Sequence, residues 1–138
     1  MLFRDDYYFL SNFYPAPITI HGVTWPTAEH MYQACKSPDA SSREQIRLHP
    51  SRGLKAFVRT IAIRPEWNKI RVECMRCILM YKFEQHPDLM KRLLAITEPL
   101  VEDNYWNDTF WGKCGGIGQN MLGKLLMEIR DQHQSPEP

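Results

Sequence analysis

At 138 residues the chain has the length of one ordinary domain, enough to bury roughly two thirds of its unfolded surface around a single core. Seventeen Lys and Arg against sixteen Asp and Glu leave a net charge of +1, a balance that excludes a sequence-blind electrostatic grip as the main way of holding nucleic acid. The opening MLFRDDYYFL carries two acids and only a short apolar run, so neither a signal peptide nor a membrane span is expected, and a cytoplasmic location follows.

In chain order, PITIHGVTWP alternates Ile18 and Ile20, then Val23 and Trp25, around His21 and Gly22, which predicts a short hairpin. Pro26 suits the first position of a helix running to about Lys36, where SPDASS breaks it. On that helix Glu29, Gln33 and Lys36 fall at i, i+4 and i+7 and form one stripe of acid, amide and amine. A solvated helix face would produce the same stripe by chance. Ser41 followed by Glu44 has capping-box spacing and predicts a helix towards LHPS, with a short helix in GLKAFVRT after it. From about Pro65 the residues Trp67, Ile70, Cys74, Cys77 with Ile78, and Tyr81 repeat at helical spacing, while Met75 and Leu79 make a second apolar stripe. His86 and Pro87 end that helix and begin another whose Leu89, Leu93 and Leu94 face inward. Asn120 caps a last helix with Leu122, Leu125, Leu126 and Ile129 on one face, and residues 131–138 are expected to fray.

About six helices and one N-terminal β-hairpin make the fold class mainly α, a compact orthogonal helical bundle. A single domain is expected over residues 1–138, with its core over about 9–130. No strand–helix–strand alternation occurs, which removes the parallel-sheet nucleotide folds.

Cys74 and Cys77 form CMRC, a spacing compatible with a metal or redox site. It lies inside a long helical run without a second cysteine pair, so all four cysteines read as free thiols in a reducing compartment, with this pair buried as small hydrophobes. In NDTFWGKCGGIGQNMLG, an acid and two aromatics precede a loop with Gly112, Gly115, Gly116 and Gly118. Its amides at a helix N-terminus would bind phosphate, with Lys113 adding a charge, although a plain surface turn reads the same way. Trp67 and Trp111 are the preferred stacking partners for a nucleobase, against the alternative that the aromatics are core residues. Glu29, Asp108 and Lys36 would suit cleavage of an N-glycosidic bond: a carboxylate stabilises an oxocarbenium-like transition state, and an amine can trap an opened sugar at C1 as a Schiff base.

At these residues FLSNFYPAPI, WPTAEHMYQACK, PEWNKIRVECMRCILMYKF, LLAITEPLVED, NDTFWG and QNMLGKLLMEIR resemble the NADAR superfamily, also called YbiA-like. The resemblance covers roughly residues 9 to 130, in the family's order. It implies a mainly helical fold and metal-free, cofactor-free hydrolysis of N-glycosidic bonds in ribosyl or ADP-ribosyl compounds. The implied substrates are ribosylamino phosphate intermediates of riboflavin synthesis, or ADP-ribose attached to guanine in DNA or RNA. Carried over, the functional residues are Glu29, Lys36, Trp67 and Asp108. Glu29 would orient ribose hydroxyls or act as base, Lys36 attack or polarise C1, Trp67 stack on the base, and Asp108 assist proton transfer or bind the leaving base. Asn12, Arg59, Trp111, Gly112, Lys113, Gly118 and Asn120 would complete the substrate site.

Two departures from the family pattern fall where specificity would be set. Lys113 and Cys114 follow WG in place of an acidic residue, with a shortened loop, and a common Gly-Arg pair reads Val58-Arg59. Removal of ADP-ribose from guanine is the leading expectation, hydrolysis of small ribosylamino metabolites the second. A non-catalytic ADP-ribose or NAD-binding module is the third.

Overall fold

The computed structural model describes residues 1–134. These form a mainly helical fold with six α-helices and a 3-10 helix among the described residues, as the periodicity predicts. They gather into two compact units, Asn12–Gln85 and a second made of Met1–Ser11 with the chain from His86 onward.

In the unit Asn12–Gln85, β1 (Ile18–Ile20) pairs antiparallel with β2 (Val23–Trp25), with Ile20 opposite Val23. The connecting His21 and Gly22 both have positive φ, 50° and 77°, the two-residue turn whose twist suits a hairpin. Next comes α1 (Ala28–Cys35). Its cap is Thr27, whose hydroxyl accepts from His30 N at 3.1 Å, so Pro26 lies outside the helix and not at its first position. The buried His30 ring joins Thr27 Oγ1 to the His49 carbonyl, each at 2.7 Å, tying the start of α1 to the end of α2 (Ala40–Leu48).

The cap of α2 is Asp39, which accepts from both Ser42 N (3.1 Å) and Ser42 Oγ (2.8 Å). A carboxylate two residues earlier takes the place of the expected Ser41 box because it satisfies two donors at once. Ala34, Ile46, Leu54 and Val58 form the core of this unit, covered by Phe13, Trp25, Phe57 and Ile61. Two of these four come from α1 and α2, and two from α3 (Leu54–Val58).

The long helix α4 (Trp67–Gln85) buries Trp67, Met75, Ile78, Leu79, Lys82 and Phe83. Cys77 and Tyr81, expected on the inner stripe, are exposed, so the buried face of the second half is the Met75–Leu79 stripe extended through Lys82. Lys82 is 0 % exposed. Its Nζ lies 5.3 Å from the Phe83 ring centroid and 5.9 Å from that of Tyr14, and burial pulls the amine down to about 7.

In the other unit, a 3-10 helix over Asp5–Leu10 buries Phe9 and Leu10, and the Arg92 guanidinium stacks 4.1 Å over the Phe9 ring. The Arg92-bearing α5 (Pro87–Leu94) packs with α6 (Met121–His133). Leu89 and Leu93 are buried as predicted, whereas Leu94 is only half-buried. All four predicted positions of α6, Leu122, Leu125, Leu126 and Ile129, are buried.

The helix continues through His133, so fraying does not begin at residue 131. The remainder of that expectation, residues 135–138, lies outside the described residues. A ladder unseen in the sequence pairs β3 (Asp103–Asn104) parallel with β4 (Lys113–Cys114); strands of two residues are too short to show a period. No helix among the described residues is long and apolar enough to cross a membrane.

Candidate active site

The stripe on α1 is real and is not a solvated face. Glu29 is 6 % exposed and Gln33 4 % exposed, and Gln33 Nε2 donates to Glu29 Oε1 at 2.6 Å. The amide of Glu29 is held in turn by the Asn12 carbonyl at 2.9 Å, which brings the SNF segment to the start of the stripe. Asn12 Nδ2 contacts Met75 Sδ at 3.5 Å. Asn12 Oδ1 and Gln33 Oε1 are buried without a hydrogen-bond partner among the described residues. Buried acceptors left in this state are unfavourable by about 1–3 kcal/mol each, and a hydroxyl-bearing ligand would relieve them.

One turn on, Lys36 Nζ lies 5.6 Å from the Tyr32 ring centroid, and Tyr32 packs at 5.2 Å against the ring of Trp67. Lys36 and Trp67, far apart in sequence, are thus joined through one aromatic residue. Burial holds the Lys36 amine below the usual lysine range. The Glu29 carboxylate opposes that shift, and Lys55, Arg71 and Arg59 reinforce it.

Arg59, expected in the substrate site, is thus one of the charges that act on Lys36. Lys55 and Arg71 were missed, yet each carries a spacing signal: Lys55 precedes Arg59 by four residues, and Arg71 follows Trp67 by four. The result is a buried acid, an amine with a depressed pKa and three cations close enough to act on it.

The other predicted residues belong to the second unit, where the chain from Leu100 to Asn120 organises itself. Asp108 Oδ1 accepts from Phe110 N (3.1 Å) and Trp111 N (2.9 Å), fixing the aromatic pair edge to face. Asn104 holds Asp108 from both sides, donating to its carbonyl at 2.9 Å and accepting from its amide at 3.1 Å. Asn104 Nδ2 also donates to the buried Glu102 Oε2 at 3.0 Å. Glu102 and Asn104 were not singled out by sequence, and no spacing rule marks them.

The helix-start part of the expected phosphate cradle is closed from within the chain. At the start of α6, the amides of Asn120, Met121 and Leu122 are already bonded to the carbonyls of Gly112, Phe110 and Trp111. Cys114 and Ile117 exchange backbone bonds across Gly115 and Gly116, whose positive φ values close a tight turn. Asn120 is not a side-chain cap; its amide group is spent on Leu100 O (2.9 Å) and Glu102 N (2.9 Å). Asn120 thus braces the start of α6 against Leu100 and Glu102.

Gly112 and Gly118 have close-packing roles. A Cβ on Gly112 would collide with Glu102, and one on Gly118 with the Gly112 carbonyl. Lys113 contributes its amide to the Glu102 carbonyl at 2.8 Å, and its side chain is half-buried.

Cys74 likewise finds a different partner from the one its spacing suggests. Its thiol lies beside that of Cys35 of α1, while Cys77 is exposed.

The sequence matches the NADAR domain family over residues 2–134. The chain belongs to that family. It is 42% identical over 132 residues to N-glycosidase YbiA of Escherichia coli (strain K12), covering 93% of this chain and 82% of that one. An N-glycosidase of Nostoc punctiforme is 35% identical, covering 88% of this chain and 83% of the relative. A riboflavin biosynthesis protein of Vibrio vulnificus (strain YJ016) is 38% identical over 97% of this chain, which spans 38% of that longer protein. The NMR structure of E. coli YbiA superposes with a TM-score of 0.83 at 44% identity, covering 93% of this chain and 79% of that one. Membership in the NADAR family, with relatives named as N-glycosidases, supports N-glycosyl hydrolase activity.

Proposed function

We propose that the protein hydrolyses the N-glycosidic bond joining ADP-ribose to guanine in nucleic acid. The observation that carries this reading is the α1 stripe. There a buried carboxylate and an amine with a depressed pKa share one helix face, with Lys55, Arg59 and Arg71 acting on the amine. Three cations besides the amine suit a diphosphate better than a single phosphate. The unpartnered oxygens of Asn12 and Gln33 would accept from ribose hydroxyls, while the buried aromatic pair Tyr32–Trp67 backs the Lys36 side chain.

In this mechanism Glu29 stabilises positive charge developing on the ribose ring as the C1–N bond lengthens. Lys36, in its neutral form, attacks C1. The bonding electrons of the C–N bond pass to the base nitrogen, which takes a proton. The displaced product is an N-glycosyl-lysine; its C1–O4 bond opens, the ring oxygen taking the proton the Lys36 nitrogen gives up, and water then adds to the resulting imine, releases the sugar and regenerates the amine. Asp108, carried over from the resemblance, lies in the other unit, where its Oδ1 is engaged by the Phe110 and Trp111 amides.

The decisive experiment is product analysis by mass spectrometry with an oligonucleotide bearing ADP-ribosyl-guanine. Release of free ADP-ribose and restored guanine, lost in Glu29→Ala, supports the reading. A borohydride-trapped adduct on Lys36 supports the covalent route. The relatives named for riboflavin biosynthesis favour a second reading, hydrolysis of ribosylamino-pyrimidine phosphates. Turnover of those compounds without action on the oligonucleotide would replace the first.

A further inference from the structure

Helix α1 has a second face with its own character. Met31, Ala34 and Cys35 stand two, five and six residues after Glu29. At about 100° per residue they point away from the stripe of Glu29, Gln33 and Lys36. Together with Trp25, Arg43, Arg64, Ile70 and Cys74 they line a cavity of about 230 Å³. This volume lies below the roughly 300–1,000 Å³ typical of drug-sized sites and matches a single-ring molecule.

The walls are an indole, a thioether, alkyl groups and two thiols. The thiols are wall and not chemistry: burial, then the adjoining Cys74 sulfur, pushes Cys35 up to about 12, far from the thiolate that reacts.

One side of the cavity is different. Arg43 Nη1 and Arg64 Nη2 converge on a single neutral acceptor, the Ser37 carbonyl, at 3.0 and 2.9 Å. The Arg64 amide also holds the Lys36 carbonyl at 2.8 Å. Glu66 approaches Arg64 Nη1 at 3.5 Å, and Arg64 Nε is buried without a hydrogen-bond partner among the described residues. Two guanidinium groups share one neutral carbonyl, the Glu66 carboxylate reaches only Arg64 Nη1, and the buried Arg64 Nε is left over as a donor for a further acceptor.

We propose that this cavity is a second ligand site that takes a small carboxylate on a flat apolar body. The carboxylate meets Arg64 and Arg43, and the body lies against Trp25, Met31 and Ile70. The same guanidinium groups hold the Ser37 carbonyl just past the end of α1, so a bound carboxylate competes with it. Its arrival is therefore felt at the helix end that carries Lys36. The site depends neither on the N-glycosidase chemistry nor on the identity of its substrate.

The test is a ¹H–¹⁵N NMR titration of the full chain with benzoate, with benzamide as the uncharged control of the same shape. Saturable shifts are expected at Met31, Cys35, Arg64 and Ile70 and at the Ser37 amide. Benzamide should bind at least about tenfold more weakly, as loss of a charge-assisted pair requires. Arg64→Met should remove the response. Ile70→Trp, which fills the cavity and keeps both arginines, should remove it as well, so a folding defect in one variant leaves the other decisive. Absence of saturable shifts, equal response to benzamide, or shifts confined to Glu29, Lys36, Arg59 and Arg71 would each overturn the proposal.

Discussion

The stripe face of α1 and the segment from Leu100 to Asn120 are both rich in buried polar side chains, and they dispose of them in opposite ways. In the segment, Asn104, Asp108 and Asn120 spend their amides and carboxylate oxygen on nearby backbone. On α1, Gln33 makes one bond to Glu29 and leaves Oε1 over, Asn12 leaves Oδ1 over, and an amine is held below its ordinary pKa. A polar group satisfied within the chain supports the fold. One left unsatisfied, beside a perturbed titrating group, is where a ligand is expected to enter.

The largest expected effect separates the two regions by activity. Glu29→Gln should lower kcat by about 10²–10⁴-fold with little change in Tm, whereas Asn120→Ala should leave turnover per folded molecule nearly intact. The pH profile sharpens this. If neutral Lys36 attacks, kcat/KM rises with pH and levels off above the Lys36 pKa, below the ordinary 10.5. Removing the Glu29 charge, which raises that pKa, should move the inflection of the residual activity to lower pH. An inflection that stays put would detach Lys36 from Glu29.

Lys82 is the control for a buried amine. Its folded-state value of about 7 lies below the unfolded value, so protonating it opposes folding. The penalty is complete below about pH 7 and fades as pH rises towards 10.5, where the unfolded chain gives up its proton too. Lys82→Met should therefore raise the unfolding free energy near neutrality by on the order of a few kcal/mol. The gain should vanish near pH 10.5 in chemical denaturation, with the pH slope lost.

Smaller still, Asn120→Ala removes two buried bonds and should lower stability by about 2 kcal/mol, read from the denaturation midpoint. Asp39→Ala removes the α2 cap and should lower stability by about 1 kcal/mol.

Helices whose apolar faces repeat over several turns were legible in the sequence. All four predicted inward residues of α6 are buried, and the spacing of Glu29, Gln33 and Lys36 places them on one face. Caps were less legible, because Thr27 and Asp39 competed with Pro26 and Ser41 within a few residues and only the chain path decides which oxygen reaches a free amide. The Gly-rich segment misled for a related reason. Its composition fits an anion cradle, but the carbonyls of Phe110, Trp111 and Gly112 close the helix start from within.

What the sequence by itself determined, then, is local and periodic: which segments are helical, which face of each is apolar, and that an acid, an amide and an amine share one stripe. Residue spacing along a helix is set by its geometry and needs no partner. Only the tertiary structure decided that Lys55, Arg59 and Arg71 surround Lys36, that Trp67 reaches it through Tyr32, and that Cys74 meets Cys35 in place of Cys77. Electrostatic and packing neighbours are chosen by how helices cross, and no repeat within any one of them records the partner it will meet.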